Sequence, residues 1–104
     1  MTDTNMIDPL GRRIILYDRT WYGHILRGHP DVADYRHGIR HAVENPDEIR
    51  YSTSDTDCRV YYGADLGGGL RVAVVADVLA GVVKTVYLTR KSSPGGVEWS
   101  SLTL

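Results

Sequence analysis

Residues 70–89 read LRVAVVADVLAGVVKTVYLT, and this stretch decides the fold. Residues 70–79 are apolar at nearly every position, which is typical of a central strand that is covered on both faces. Ala80 and Gly81 predict a tight turn into a second strand at residues 82–89, so the two strands should pair as a hairpin. The second half of the chain therefore predicts an antiparallel sheet.

The sequence before this hairpin predicts short strands and two helices. Strands are predicted at residues 13–17, 48–52 and 58–64. After the first of them, Trp21 and Ile25 lie four residues apart in a short helix that ends at Gly28 and Pro30. A second, amphipathic helix ends near Asn45. The order of a strand, two helices and three or four strands predicts an α+β domain whose helices pack on one face of the sheet.

The two ends of the chain are expected to lie outside this domain. Residues 1–12 are polar and predict a flexible N-terminal arm, whereas residues 13–91 form the single domain. Residues 92–104 predict a C-terminal tail, in which residues 97–104 are either a weak edge strand or frayed.

The composition is that of one ordinary globular domain. The chain has 104 residues, of which 42% are hydrophobic, and 12 Lys and Arg against 13 Asp and Glu give a formal net charge of −1. This balance argues against a general coat on nucleic acid, although it leaves room for a local basic patch. Cys58 is the only cysteine, so neither an internal disulfide nor a zinc site is expected. Because no long apolar run and no signal peptide is evident, we expect a cytoplasmic location without a membrane partner.

Two histidines near the end of the first predicted helix are candidate catalytic residues. His24 lies in the last turn, where the negative end of the helix favours imidazolium, and His29 follows Gly28, so its side chain can turn back toward the same end. A neutral and a protonated imidazole placed together provide a base and an acid near pH 7. Arg27 lies between them and is a candidate phosphate ligand. In the alternative interpretation, His24 packs in a half-buried position and His29 caps the helix carbonyls.

Two predicted strands carry rows of polar side chains at the strand period of two. Thr85, Tyr87 and Thr89 share one face of the last strand, and Arg59 and Tyr61 share one face of the strand at residues 58–64. Together the two rows predict a concave sheet face that carries Arg, Tyr and Thr. The alternative is an ordinary solvent-exposed face of a small antiparallel sheet.

His37 and His41 have the spacing of two metal ligands on one helix, with Glu44 as the nearest third group. All three fall on the polar side of the second helix, which is typical of a solvated face. We therefore predict no metal site and no cofactor.

The order of several short motifs resembles a known nuclease superfamily. These motifs are WYGHILRGHPD at residues 21–31, NPDEI at 45–49, VYY at 60–62, LRVAVV at 70–75 and VVKTVY at 82–87. They are similar to the phage and mobile-element domains of the barnase–EndoU–colicin–RelE (BECR) superfamily. The similarity covers residues 13–89, which is most of the chain.

This resemblance implies a fold of two N-terminal helices against a four-stranded antiparallel sheet. It also implies metal-independent cleavage of RNA, in which the ribose 2′-OH attacks the adjacent phosphate. The catalytic residues would be His24, His29, Thr85 and Tyr87, with the order of base and acid unassigned. The substrate-binding residues would be Arg27, Arg59, Tyr61 and Lys84.

The leading hypothesis is thus a small cytoplasmic ribonuclease that acts on RNA, tRNA included, as a toxin or mobile-element effector. An antitoxin or immunity protein is then expected as a partner, because a free ribonuclease is costly to its host. The alternative is a non-catalytic module of the same fold that binds protein or nucleic acid, which the neutral charge and the seven tyrosines would suit. A metal hydrolase built on His37, His41 and Glu44 ranks last.

Overall fold

A seven-stranded sheet forms the body of the protein in the computed structural model, which describes residues 2–102. The strands are β1 (Thr4–Ile7), β2 (Arg13–Leu16), β3 (Glu48–Tyr51), β4 (Cys58–Tyr62), β5 (Arg71–Asp77), β6 (Val82–Thr89) and β7 (Val97–Ser100). Their order across the sheet is β1-β2-β6-β5-β4-β3-β7. Neighbouring strands are antiparallel, except that β2 runs parallel to β6.

Three helical segments connect β2 to β3. Helix α1 runs from residue 18 to residue 28, with α-helical turns at Asp18–Thr20 and Leu26–Gly28 on either side of a π-helical segment at Trp21–Ile25. A 3₁₀ segment follows at Pro30–Tyr35, and α2 spans Gly38–Glu44. No helix within residues 2–102 is both long and apolar enough to span a membrane.

The prediction of two helices on a four-stranded sheet is wrong. Strands β3 to β6 do form a four-stranded antiparallel run, but β1 and β2 extend it at one end and β7 extends it at the other. There is also a third helical segment, the 3₁₀ turn. The fold is therefore a mixed α+β structure with a larger sheet than the motifs implied.

Both ends of the chain contribute edge strands to this sheet. In the segment predicted as a flexible arm, β1 pairs with β2 and buries Met6. In the segment predicted as a tail, β7 pairs with β3, so the edge-strand alternative describes residues 97–100. Met1, Thr103 and Leu104 lie outside the described residues. Strand β1 escaped prediction, and β7 was only one of two alternatives, because each strand has only four residues.

The hairpin of β5 and β6 is confirmed. The two strands pair antiparallel from Arg71 opposite Thr89 to Asp77 opposite Val82. Gly81, in the turn, has a φ of 73°, and a Cβ there would lie 2.8 Å from the backbone oxygen of Arg13. The turn thus needs glycine twice, for its left-handed backbone and for its close approach to β2.

The two faces of the sheet carry different cores. The helices cover one face, where Trp21, Ile25 and Val32 pack with Val83 and Val86 in the main core. On the opposite face a smaller cluster comprises Val60, Tyr62, Ala73, Val75 and Tyr87. The connection from β6 to β7 reaches this second cluster, since the backbone N–H of Ser93 donates a hydrogen bond to the Tyr62 hydroxyl at 2.6 Å.

The sheet curls so that the two ends of its strand order meet. Arg12, in the turn between β1 and β2, donates to both carboxylate oxygens of Glu98 in β7, at 3.1 and 2.6 Å. Arg12 also donates to Asp8 at 2.7 Å. An ion-pair network therefore closes the curl.

Candidate active site

The edge of β6 beyond its first residues is bordered by helices rather than by a strand. β2 pairs with β6 only where Ile15 lies opposite Val82. Further along, α1 and the 3₁₀ segment contact β6. A groove opens between the start of α1 and the start of β6, and two of the predicted site residues, His24 and Lys84, line it.

This groove has a volume of about 550 Å³ and is open to solvent. It is lined by Tyr17, Arg19, Thr20, His24, Val82, Val83 and Lys84. The side chains of Arg19, His24 and Lys84 are exposed. Because its lining contains two permanent cations and a histidine, the groove is suited to an anionic ligand.

A β-bulge aims Lys84 at this groove. Thr85 pairs with Val75 and Val83 pairs with Ala76, so Lys84 is an extra residue without a partner on β5. As a result Val83 and Val86, three residues apart, both point into the main core. The bulge turns Lys84 out of that core together with Thr85, and such re-aiming is a common role of bulges near functional sites.

His24 lies in the π-helical segment of α1, next to an ordinary α-helical end. Single π turns occur often at functional sites, because they shift the side chains that follow out of helical register. Ile25, its neighbour, is fully buried, whereas His24 is exposed. The helix is thus fixed to the core by one residue and presents the next to the groove.

The second histidine meets the far part of β6. His29 ends α1, where its N–H donates to the Ile25 carbonyl at 2.8 Å. Its ring centroid lies 6.0 Å from that of Tyr87, with the rings tilted by 38°. Burial, followed by the influence of the Tyr62 hydroxyl, raises the pKa of Tyr87 to about 12. Tyr87 therefore keeps its proton at neutral pH and can donate a hydrogen bond.

Thr85 and Arg27 complete the group of predicted residues near this edge. Thr85 is half-buried. It lies with Tyr87 on the face of the sheet opposite the helices, called the outer face below, since their partners on β5 are Val75 and Ala73. Arg27 is exposed in the last turn of α1. Six of the eight predicted residues thus lie on β6, on α1 or directly after it, and two pairs of them share a groove or a ring contact, His24 with Lys84 and His29 with Tyr87.

Arg59 and Tyr61 are not part of this group. Tyr61 pairs with Val74, which pairs with Val86, so Tyr61 belongs to the face under the helices. Tyr62 instead shares the outer face with Tyr87. The expected concave face that unites Arg59, Tyr61, Thr85 and Tyr87 does not form, because β4 presents the opposite set of side chains.

Tyr61 has a structural partner. Its ring is fully buried and its hydroxyl donates to Asp8 at 2.5 Å. Burial, together with the neighbouring Asp8 carboxylate, raises the pKa of Tyr61 well above its usual range. Tyr61 is therefore a fixed hydrogen-bond donor in the core.

Arg59 is bound within the same network. Its Nε donates to Glu98 at 2.9 Å, and its guanidinium lies 4.4 Å from the centre of the Tyr51 ring. We refer below to Asp8, Arg12, Arg59, Tyr61 and Glu98 as the edge network. It holds both residues away from the groove.

Sequence reasoning missed three residues with polar groups that line the groove, namely Tyr17, Arg19 and Thr20, as well as the apolar Val82 and Val83. The available signal was the four-residue spacing of Thr20 and His24, which places them on one side of a helix. Arg19 gave no such signal, because its position at the groove depends on the direction in which the chain turns from β2 into α1.

The structure does not assemble His37, His41 and Glu44 into a site. Within the described part of the chain, no group of three or more His, Cys, Asp or Glu side chains is placed to hold a metal ion. His41 instead borders a small apolar groove beside Gly63 and Leu66, and the Glu44 carboxylate accepts the N–H of Ile7 at 3.0 Å.

Comparisons with known proteins add no relative. No protein family, no curated protein and no solved structure matches this chain. The resemblance to the BECR superfamily therefore stays a prediction.

Proposed function

We propose that the protein is a metal-independent ribonuclease whose active site lies between α1 and β6. The observation that carries this proposal is that His24 and Lys84 line one groove while His29, further along α1, lies against Tyr87. Two imidazoles, one permanent cation and a protonated phenol along one edge are the groups that phosphodiester transesterification requires.

The reaction would proceed by internal transfer within RNA. One histidine accepts the proton of the ribose 2′-OH, and the 2′-oxygen forms a bond to the adjacent phosphorus. The bond from phosphorus to the 5′-oxygen of the next nucleotide breaks, and the other histidine delivers a proton to that oxygen. Hydrogen bonds from Tyr87 and Thr85 stabilise the charge on the oxygens of the reacting phosphate, and Lys84 contributes a positive charge from the groove beside it. The products are a 2′,3′-cyclic phosphate and a free 5′-hydroxyl.

The local charge supports an RNA substrate despite the formal net charge of −1. Among the described residues, no carboxylate lines the groove that holds His24. The other two polar grooves each contain acidic residues, Glu44 in one and Asp47 with Glu48 in the other. Of these three grooves, the one between α1 and β6 therefore has the lining that favours a phosphate most.

The test is incubation of the purified protein with total RNA and with tRNA in EDTA. We expect cleavage that leaves 2′,3′-cyclic phosphate ends, and a loss of roughly 100-fold or more in rate for His24→Ala or His29→Ala. His37→Ala is the matched control, because His37 is an exposed histidine at the N-cap position of α2 and does not line the groove. Its cleavage rate should equal that of the wild type.

Two outcomes would contradict the proposal. One is a His24→Ala/His29→Ala double variant that folds and cleaves at the wild-type rate. The other is a wild-type protein that binds RNA at high concentration without cleaving it, which would favour a non-catalytic binding module. The thermal midpoint of each variant, expected within a few degrees of wild type, separates lost chemistry from lost folding.

The resemblance, rather than the geometry, supports a biological role. It favours a toxin or mobile-element effector that acts on cytoplasmic RNA and is held inactive by an antitoxin or immunity protein. Such an inhibitor would have to cover the groove. Expression of the active form should then slow growth of a host cell, whereas expression of His24→Ala should not.

A further inference from the structure

The groove between α1 and β6 is larger than contact with one phosphate requires. Its volume of about 550 Å³ lies within the range of roughly 300–1,000 Å³ for pockets that hold whole small molecules. His29, Thr85 and Tyr87 are not among its lining residues. Lys84 and Tyr87 are three residues apart on β6, which corresponds to about 10 Å. A phosphate held between His29 and Tyr87 would thus leave most of the groove unfilled.

The unfilled part of the groove has a cation on each wall. Lys84 stands on the β6 side, where the bulge turns it outward. Arg19 stands on the α1 side, and its guanidinium lies 5.1 Å from the centre of the Tyr17 ring. Stacking on that ring restricts an otherwise exposed side chain, which lowers the entropy lost when the guanidinium binds a ligand.

We propose that Arg19 and Lys84 form a second phosphate subsite next to the point of cleavage, so that the substrate is single-stranded RNA with at least two consecutive phosphodiesters. This inference rests on the proposed ribonuclease function. A single strand fits because its phosphates can follow a cationic groove while its bases remain unpaired. A duplex fits less well, because its paired bases hold the backbone in a fixed A-form shape.

The substrate-length dependence of cleavage tests this subsite. The substrates are a dinucleoside monophosphate, which has one phosphodiester, and a hexanucleotide with several on each side of a central step. Wild type should cleave the hexanucleotide with a kcat/KM at least about tenfold higher, the size of effect that one charge-assisted contact gives. Arg19→Gln should remove most of that advantage through KM and leave the dinucleoside monophosphate unaffected.

Arg13→Gln is the matched control for this experiment. Arg13 is also exposed, but it borders a different groove, beside Arg40 and Glu44. Its kcat/KM for both substrates should equal that of the wild type. If Arg13→Gln and Arg19→Gln lowered kcat/KM for the hexanucleotide equally, the effect would be one of total charge and the subsite would be overturned.

A binding measurement separates failure of the subsite from failure of the ribonuclease proposal. Labelled DNA oligonucleotides of two and six thymidines lack the 2′-OH and cannot be cleaved by this reaction, so their affinities report binding alone. For the six-nucleotide strand, Arg19→Gln should reduce the slope of log affinity against log salt by about 0.7, the value for one lost phosphate contact.

Each combination of results decides between the two proposals. RNA cleavage that is independent of length and of Arg19 overturns the subsite and keeps the ribonuclease. DNA binding that depends on Arg19, with no cleavage of any RNA, supports the subsite and overturns the ribonuclease.

Discussion

The groove and the edge network use the same kinds of side chain in opposite ways. In the edge network, Arg12 and Arg59 both bind the Glu98 carboxylate, and Tyr61 donates to Asp8. Within residues 2–102, every buried side-chain nitrogen or oxygen has a hydrogen-bond partner. In the groove, by contrast, Arg19 and Lys84 extend from exposed positions beside a histidine.

The difference lies in the carboxylates. Each arginine of the edge network lies within 3 Å of Glu98, so its charge is already compensated and its geometry is fixed. A cation whose surroundings lack a carboxylate is still able to bind a phosphate. The same residue type is therefore structural where the two ends of the sheet meet, and it is available to a ligand beside β6. Substitutions in the edge network should lower stability, whereas substitutions in the groove should weaken binding.

The largest effect on stability is expected at Asp8. Its Oδ1 accepts the N–H groups of Leu10 and Arg12, and its Oδ2 accepts Arg12 Nε and the Tyr61 hydroxyl. In Asp8→Asn an amide replaces an oxygen that accepts two donors, and the charge that balances Arg12 is lost. The free energy of unfolding should fall by about 3 kcal/mol, measured by urea denaturation.

Asp34→Asn is the control for this variant, because Asp34 is exposed. It should change stability by less than about 0.5 kcal/mol. Below its unfolding transition, Asp8→Asn should still cleave RNA as the wild type does. Two results for Asp8→Asn would contradict the assignment of a structural role to the edge network and a binding role to the groove. One is full wild-type stability, and the other is a folded protein that has lost RNA cleavage.

The second effect, of intermediate size, concerns pH. Burial alone would raise the pKa values of Asp8 and Glu98, but hydrogen bonds from Tyr61 and Arg12 to Asp8, and from Arg12 and Arg59 to Glu98, hold both below their usual range. A carboxylate with a lowered native pKa stabilises the fold fully above its unfolded pKa of about 4. That contribution is lost as the pH falls from there toward the native value.

The urea midpoint of the wild type should therefore stay level from pH 7 to about 5 and fall steeply toward pH 3. Glu98→Gln should cost about 2 kcal/mol at pH 7 and show a smaller fall below pH 5, because one of the carboxylates that takes up protons is absent. Asp31→Asn, at an exposed position, should follow the wild-type curve. An equally steep fall in Glu98→Gln would mean that other groups control acid unfolding.

The sequence predicted the parts of this fold that local pattern determines. The hairpin of β5 and β6 follows from an apolar run, a turn glycine and a second run, and the end of α1 follows from Gly28 and Pro30. Strand β1 was not predicted, and β7 was predicted only as an alternative to a frayed tail, since both strands are short and β7 depends on a partner, β3, far along the chain. The contact of Arg12 with Glu98, which closes the curl, spans 86 residues.

The candidate site could be predicted in part, for a related reason. The sequence pattern predicts that the two histidines face a surface containing Tyr87, and in the structure His29 lies beside Tyr87. Strict alternation, however, would place Lys84 and Thr85 on opposite faces of β6. The bulge at Lys84 interrupts that alternation, and the sequence of residues 82–89 contains no signal that predicts a bulge. Tyr61 and Tyr62 are adjacent tyrosines, and the alternation of residue types along β4 does not show which of them faces the helices. Only the pairing of β4 with β5 decides that Tyr61 is the one buried with Asp8.

The smallest effect on stability is expected at Arg27, and a pair of matched substitutions tests the comparison most directly. Arg59→Gln removes a guanidinium that binds Glu98 and stacks on Tyr51, so it should lower stability by about 1.5 kcal/mol and leave RNA binding unchanged. Arg27→Gln removes an exposed guanidinium on α1, so it should change stability by less than about 0.5 kcal/mol. It should instead reduce the slope of log RNA affinity against log salt by about 0.7.

Both variants lose one positive charge, so net charge alone predicts equal effects on RNA binding. Urea denaturation and a salt titration of RNA affinity on the two proteins therefore decide whether position or total charge governs binding.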